Sequence, residues 1–546
     1  MKKHYLFSLF FLMLCGQGFS QNQLDYSSEA VLNQRVKNLS QKYPQWIKSS
    51  VLTQTQGGKN IWLLKIGIGD DTKKPAIAVV GGVEGKHLLG VELAIGFAEQ
   101  LLAKPSDSVQ NLLQKHSYYV FPNMSPDATE QYFAKLKYER NGNANASDYD
   151  RDGKVNEDGF DDLDGNGKIT MMRISDPTGT YKLNPDDSRS LILADAGKGE
   201  KGLFKLMMEG IDNDKDGQFN EDGEGGIQFN KNNTYNYKPF GPGSGDYPVS
   251  EKENRALLDF LFDAFNVYAV VSFGPMNNLS NPLNFNPAGV AKRIISGWYE
   301  QDVKANSLVS ERYNKILKVK DAPRVQADAG DFSQWAYFHY GRYSFSTPGW
   351  WVPKVAPDTA KRERALQNED PVVSYLRWAA SQGITNTYTP WKKVNHPDFP
   401  DQVVEVGGID PFVLQNPPYK MVPELVHKHT QFLETLAQMA PSINFVNVKT
   451  EKLSDGLTRI SLDVLNEGDL PTYTKVGDRS YFLKKINVKL QLNNNQEVLS
   501  GRRMQNLESI PGKGASKLTW LVKGSGKIKI EASSPTTGSK SIELSL

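Results

Sequence analysis

The chain has 546 residues, of which 39% are hydrophobic and 23% charged, so it is globular in balance and too long for one hydrophobic core. A formal net charge of +2 excludes the basic excess expected of a nucleic-acid binder or of a protein held on anionic membranes. With Cys15 as its single cysteine, the chain also excludes a disulfide framework.

The N-terminus reads as an export signal. Lys2 and Lys3 precede a short apolar run, Leu6 to Leu14, and Gly18-Phe19-Ser20 supplies small residues for cleavage after Ser20. The run is too short to span a bilayer. Leu14 stands where a lipid-attachment site needs a small residue, which argues against a lipoprotein anchored at Cys15. Residues 1–20 are therefore expected to be a signal peptide directing the chain to the periplasm or beyond. No later segment has the length and apolarity of a transmembrane helix.

Apolar residues at helical spacing (Val31, Leu32, Val36, Leu39) predict a helix from Glu29 to Tyr43. Val51–Thr55 and Ile61–Ile66 flank Gly57-Gly58 and predict a hairpin. Pro75–Val80 reads as a buried strand ending in Gly81-Gly82, and Leu88–Leu102 as the helix that follows it. Tyr118–Phe121, Val267–Ser272 and Tyr343–Thr347 are further strands. Helices are expected at Glu251–Phe262, Lys292–Leu317 and Pro423–Met439. Strands alternating with helices predict an α/β domain over residues 21–440, with a mixed sheet covered on both faces. After Pro441 the pattern becomes short alternating strands, among them Arg459–Val464, Lys485–Leu492, Lys517–Val522 and Lys527–Ala532. Residues 441–546 are thus expected to form a β-sandwich.

Residues 141–226 form an insertion rich in Asp, Asn and Gly, and it contains a repeat. Asp148, Asp150, Asp152, Gly153, Glu157, Asp158 and Gly159 recur in the same spacing as Asp212, Asp214, Asp216, Gly217, Glu221, Asp222 and Gly223. A looser copy, Asp162, Asp164, Asn166 and Gly167, lies between them. Alternate oxygen donors followed by Gly let several side chains converge on one hard cation. Gly159 and Gly223 replace the acidic twelfth residue of an EF-hand, so the later acids must close a shorter cage. The expected cofactor is structural calcium that orders the insertion.

The stretch Gly81-Gly82-Val83-Glu84-Gly85-Lys86-His87 resembles the strand-to-helix turn of the zinc carboxypeptidases, where His-x-x-Glu supplies two zinc ligands. Ser125-Pro126-Asp127, Asn230-Lys231-Asn232 and Tyr247-Pro248-Val249-Ser250-Glu251 resemble further elements of that family, and the match covers nearly the whole mature chain. The resemblance implies a metallocarboxypeptidase fold with zinc and a peptide cleft, of the kind found in a large bacterial secreted branch. Its residue types depart from the pattern. Glu84 and His87 stand in exchanged order, the third-ligand place is Gly274, and the general-base place is Pro348. The residue that grips the substrate carboxylate is Lys231 rather than Arg, with Asn230 and Arg140 as further substrate contacts. A catalytic zinc wants three protein ligands and an open position. Three readings stay open. The chain is a non-catalytic relative that keeps a cleft for peptides or cell-wall peptides; or it is a working metallohydrolase with a third ligand from the insertion or His339; or it is a calcium-ordered binding or adhesive module.

Overall fold

The computed structural model describes residues 25–146, 148, 153–318, 320–355, 370–454 and 456–546. The expected signal peptide, with Cys15, lies outside the described residues, as do Asp150 and Asp152.

A six-stranded mixed sheet organises the first unit, in the spatial order Ile47–Gln54, Asn60–Ile66, Ser117–Phe121, Ala76–Val80, Val267–Phe273 and Tyr343–Thr347. The last four strands run parallel, and every residue in them is buried. Strands covered on both faces lose the polar alternation of a half-exposed sheet, which is why they read as unbroken apolar runs. Their register pairs Val80 with Ser272 and Phe273 with Thr347. The segments that follow, beginning at Gly81, Gly274 and Pro348, therefore emerge side by side at the carboxyl edge of the sheet.

Helices cover both faces. Glu29–Lys42, Leu88–Leu102, Glu300–Leu317 and Val422–Gln438 contribute to the core on one side, and Lys252–Asp263 and Phe332–Phe338 to the core on the other. Leu88–Leu102 is apolar almost all round because it is enclosed. Its buried Glu92 is paired with Arg35 at 2.6 Å. The expected helix at Lys292–Leu317 begins only at Glu300. Gly289 and Gly297 pack too closely for side chains there, and residues 292–299 turn so that Trp298 stacks on Tyr337 at 3.7 Å. A helix at Ser106–Lys115 was not expected, although its buried Val109 and Leu113 have helical spacing.

The insertion departs most from expectation. Its strands Met171–Ser175, Tyr181–Leu183, Leu191–Leu193 and Phe204–Met208 belong to a second six-stranded sheet, completed by Tyr388–Val394 and Val404–Ile409 from much later in the chain. Met172, Ile174, Val404 and Val406 form a small core beneath it. Among the described residues no helix is long and apolar enough to cross a membrane.

The C-terminal region is a β-sandwich, as expected. Two four-stranded antiparallel sheets face each other across Ile460, Leu462, Val464 and Trp520 on one side and Val488, Leu490, Ile528 and Ile530 on the other. Two buried charges fasten it to the first unit. The Asp302 carboxylate accepts from the Lys475 and Val476 amides at 2.7 and 3.2 Å and from the Tyr337 hydroxyl at 2.7 Å. The Arg342 guanidinium donates to the carbonyls of Val267, Tyr340 and Phe482. Burial pushes the Asp302 carboxyl up to about 6, with its hydrogen-bond donors opposing the rise. Asp302→Ala leaves three donors unpaired in the interface. It should lower unfolding free energy by about 2–4 kcal/mol in urea titration, and an unchanged midpoint would contradict this clamp.

Candidate functional site

Gly82 turns the chain out of strand Ala76–Val80 with φ of 61°, and a Cβ there would meet Asn123 Oδ1 at 2.2 Å. Only glycine fits both constraints. The turn delivers Glu84 and then His87, which stands at the N-cap of Leu88–Leu102. The His87 ring faces inward. Its Nε2 lies 2.9 Å from the carbonyl oxygen of Pro348. A carbonyl only accepts, so this partner assigns the proton to Nε2 and the lone pair to Nδ1. Nδ1 is buried without a hydrogen-bond partner. Burial pushes the ring down to about 4, with the Pro348 and Phe273 carbonyls opposing the fall, so the buried ring is neutral near pH 7.

The neighbouring strand ends are closed as well. The Gly274 amide donates to the Thr347 carbonyl at 3.1 Å. A Cβ on Gly274 would stand 2.3 Å from Val83 Cγ2, so the buried, β-branched Val83 fills the space a ligand side chain would need. Pro348 offers no acidic group, and its carbonyl already accepts from His87. Behind it, the Tyr313 hydroxyl lies 3.0 Å from Thr347 Oγ1 and 3.1 Å from His429 Nε2, while His429 Nδ1 donates to the Leu425 carbonyl. His339 precedes strand Tyr343–Thr347 at the opposite edge of the sheet, with Nδ1 2.7 Å from Thr234 Oγ1. His396 is buried against the Gly210 carbonyl at 2.9 Å. Among the described residues, no third His, Cys, Asp or Glu gathers with Glu84 and His87 into a metal-sized cluster. The residues present do not fit a catalytic zinc.

Glu84 belongs to a different arrangement. Burial pushes its carboxyl up to about 7; Lys86 opposes the rise, Asp331 adds to it, and Asn230 and Lys231 oppose it. Asn230 is buried, donating to Asp331 Oδ2 at 3.1 Å and accepting from the Phe332 amide at 2.9 Å. Asp331 in turn caps Phe332–Phe338 through the Gln334 amide. Arg140 donates to the carbonyls of Gly142 and Asn143. Lys231 Nζ reaches the Pro242 carbonyl at 3.3 Å and Asp328 at 4.0 Å, with 31% of its side chain exposed. Asp331 was missed in the sequence. Asp before a helix reads as an N-cap, but nothing local says that it meets Asn230.

The acidic loops fold alike. Asp162 accepts from the amides of Asn166 and Gly167, as Asp212 does from Asp216 and Gly217. Asp164 and Asp214 accept from the amides of Asn166 and Asp216, and the Asn166 and Asp216 side chains from those of Lys168 and Gln218. Asp212, Asp214 and Asp216 bring oxygens within 4.8 Å of one another, as do Asp162, Asp164 and Glu209. Glu209 is fully buried and was not foreseen, because it lies outside the repeat, just after strand Phe204–Met208. Asp158 is turned towards the other copy, accepting from Asn213 and from the Asn220 amide. Burial and contact with Asp158 push Glu221 up to about 7. The Asp148 Oδ1 atom is buried without a hydrogen-bond partner, while Glu157 and Asp222 have partners of their own.

The family profile described as zinc carboxypeptidase matches residues 32–348, more than half of the chain. The chain belongs to the zinc carboxypeptidase family. A domain of unknown function matches residues 442–545, the β-sandwich. Among solved structures, the chain is similar to a carboxypeptidase A from Helicoverpa armigera at 13% identity and a TM-score of 0.36, covering 59% of this chain and 63% of that one. It thus spans less than two thirds of the insect protein's length. A bovine thrombin-activatable fibrinolysis inhibitor in complex with tick carboxypeptidase inhibitor is 14% identical, with a TM-score of 0.33 and coverage of 66% and 94%. A putative carboxypeptidase A from Shewanella denitrificans is 10% identical, with a TM-score of 0.31 and coverage of 76% and 70%. The search of curated proteins found no match.

The packing at Gly274 can be tested directly. Gly274→His should lower stability by about 1–3 kcal/mol through overpacking, and adding Val83→Ala should recover a large part of that loss in urea titrations. A fully stable single variant would show that the space is open.

Proposed function

We propose that this protein is an exported, non-hydrolytic member of its family that binds peptide chains, including cell-wall peptides, and is ordered by calcium in its acidic insertion. The observation carrying the first part is the inward His87 ring on the Pro348 carbonyl, with Val83 packed under Gly274. A zinc-activated water needs three ligands to be held and tuned, and a nearby base to take its proton. Losing a general base alone costs on the order of 10²–10⁴ in rate. Peptide binding is supported by Lys231, a partly exposed cation beside Asn230. A Lys grips a terminal carboxylate as a point charge, without the two-pronged fit of Arg. Export is supported by the sequence of residues 1–20.

Peptides with free and amidated C-termini separate binding from hydrolysis. Mass spectrometry should find both intact after incubation, whereas calorimetry should find tighter binding of the free form and about tenfold loss in Lys231→Ala. Release of terminal residues, abolished by a chelator and restored by zinc, would overturn the reading.

Calcium is supported by the shared loop geometry and the converging carboxylates. Loops of this type in extracellular modules bind at roughly 0.1–1 mM, so 10 mM calcium should stabilise by about 1.4–2.7 kcal/mol per site. Thermal melts should rise with calcium and fall with a chelator, and the double variant Asp212→Asn/Asp214→Asn should lose part of the response. Melts indifferent to calcium would remove this part of the proposal.

A further inference from the structure

Between the α/β unit and the β-sandwich lies a cavity of about 550 Å³, with neither Glu84 nor Pro348 in its lining. Its walls are aromatic and come from both units. Phe262 stacks on Phe482 of the sandwich at 3.9 Å, and Tyr235 stacks on Phe338 at 4.2 Å. The walls are held in place, because the Asp302 and Arg342 hydrogen bonds fix the segment that carries Phe482. Arg293 and Arg479 also line the cavity, one from each unit, and both are exposed. Among the described residues neither guanidinium has an ion pair or a hydrogen bond. The one acid on the lining, Asp259, pairs with neither of them.

We propose that this cavity binds a small anionic molecule carrying an aromatic ring. Flat apolar walls accept a ring by stacking and exclude water from it. Two unpaired guanidiniums on opposite units match a carboxylate, sulfonate or phosphate in fork geometry and stack on aromatic faces in their own right. A neutral sugar would use the aromatic walls but would leave both positive charges without a partner. The lining includes none of Glu84, His87, Gly274 and Pro348, so binding here can be measured separately from hydrolysis.

Indole-3-acetate, its neutral analogue indole-3-acetamide, and neutral chitotriose are the probes, titrated into the full chain by calorimetry and ligand-observed NMR. The expected result is saturable binding of one indole-3-acetate, with the acetamide and the Arg293→Ala/Arg479→Ala variant each about tenfold weaker or more. Both arginines are exposed, so an unchanged melting temperature should confirm that the variant is folded. Absence of saturable indole-3-acetate binding overturns the proposal. Equal affinity for the neutral analogue, undiminished binding by the folded double variant, or chitotriose binding in place of the anion does so as well.

Discussion

A single hydrogen bond, from His87 Nε2 to the carbonyl of Pro348, ties the start of a helix to the end of a parallel strand and fixes the His87 ring between them. In a buried setting such a bond contributes only about 0.5–1.5 kcal/mol net, but leaving its carbonyl unpaired would cost about 1–3 kcal/mol. Turning the ring outward to meet a metal would forfeit both. Pro348 presents a backbone acceptor that holds the buried His87 ring in place. Val83 then closes the remaining space beside Gly274.

The polar groups left at this edge have been joined into another pattern. Glu84 is held near neutrality by burial, and Asn230 is spent on Asp331 and the Phe332 amide. A carboxylate arriving here meets two acids as well as Lys231, so attraction is weaker than in a pocket lined by Arg alone. The arrangement stabilises the helix cap and the turn more evidently than it favours any chemical step. The insertion and the cavity between the units, by contrast, carry groups that face outward: carboxylates in the loops, and one guanidinium from each unit over the cavity.

Much of the fold was legible because its central strands and helices obey simple periodicity. Ala76–Val80, Leu88–Leu102 and Tyr343–Thr347 stand within a residue of their expected bounds, since continuous burial leaves an unmistakable apolar run. The second sheet was not legible. Its strands are short and half-exposed, and Val404–Ile409, which carries Tyr388–Val394 on its other edge, pairs with Met171–Ser175 from much earlier in the chain. At the site, residue types alone set the expectation that Gly274 and Pro348 depart from the family pattern. What the sequence could not supply was direction. Neither the inward turn of the His87 ring nor the filling of Gly274's space by Val83 follows from local spacing; both depend on how three strand ends meet. Asp331 and Glu209 were hidden for the same reason, because each joins its cluster only through tertiary packing.

Zinc uptake by the purified chain, measured by metal analysis after dialysis alongside the His87→Ala variant, is the most direct test. The account requires that neither protein retain a zinc equivalent that depends on His87, even if the acidic loops hold some metal in both. One firmly held equivalent in the native chain that disappears in His87→Ala would contradict it.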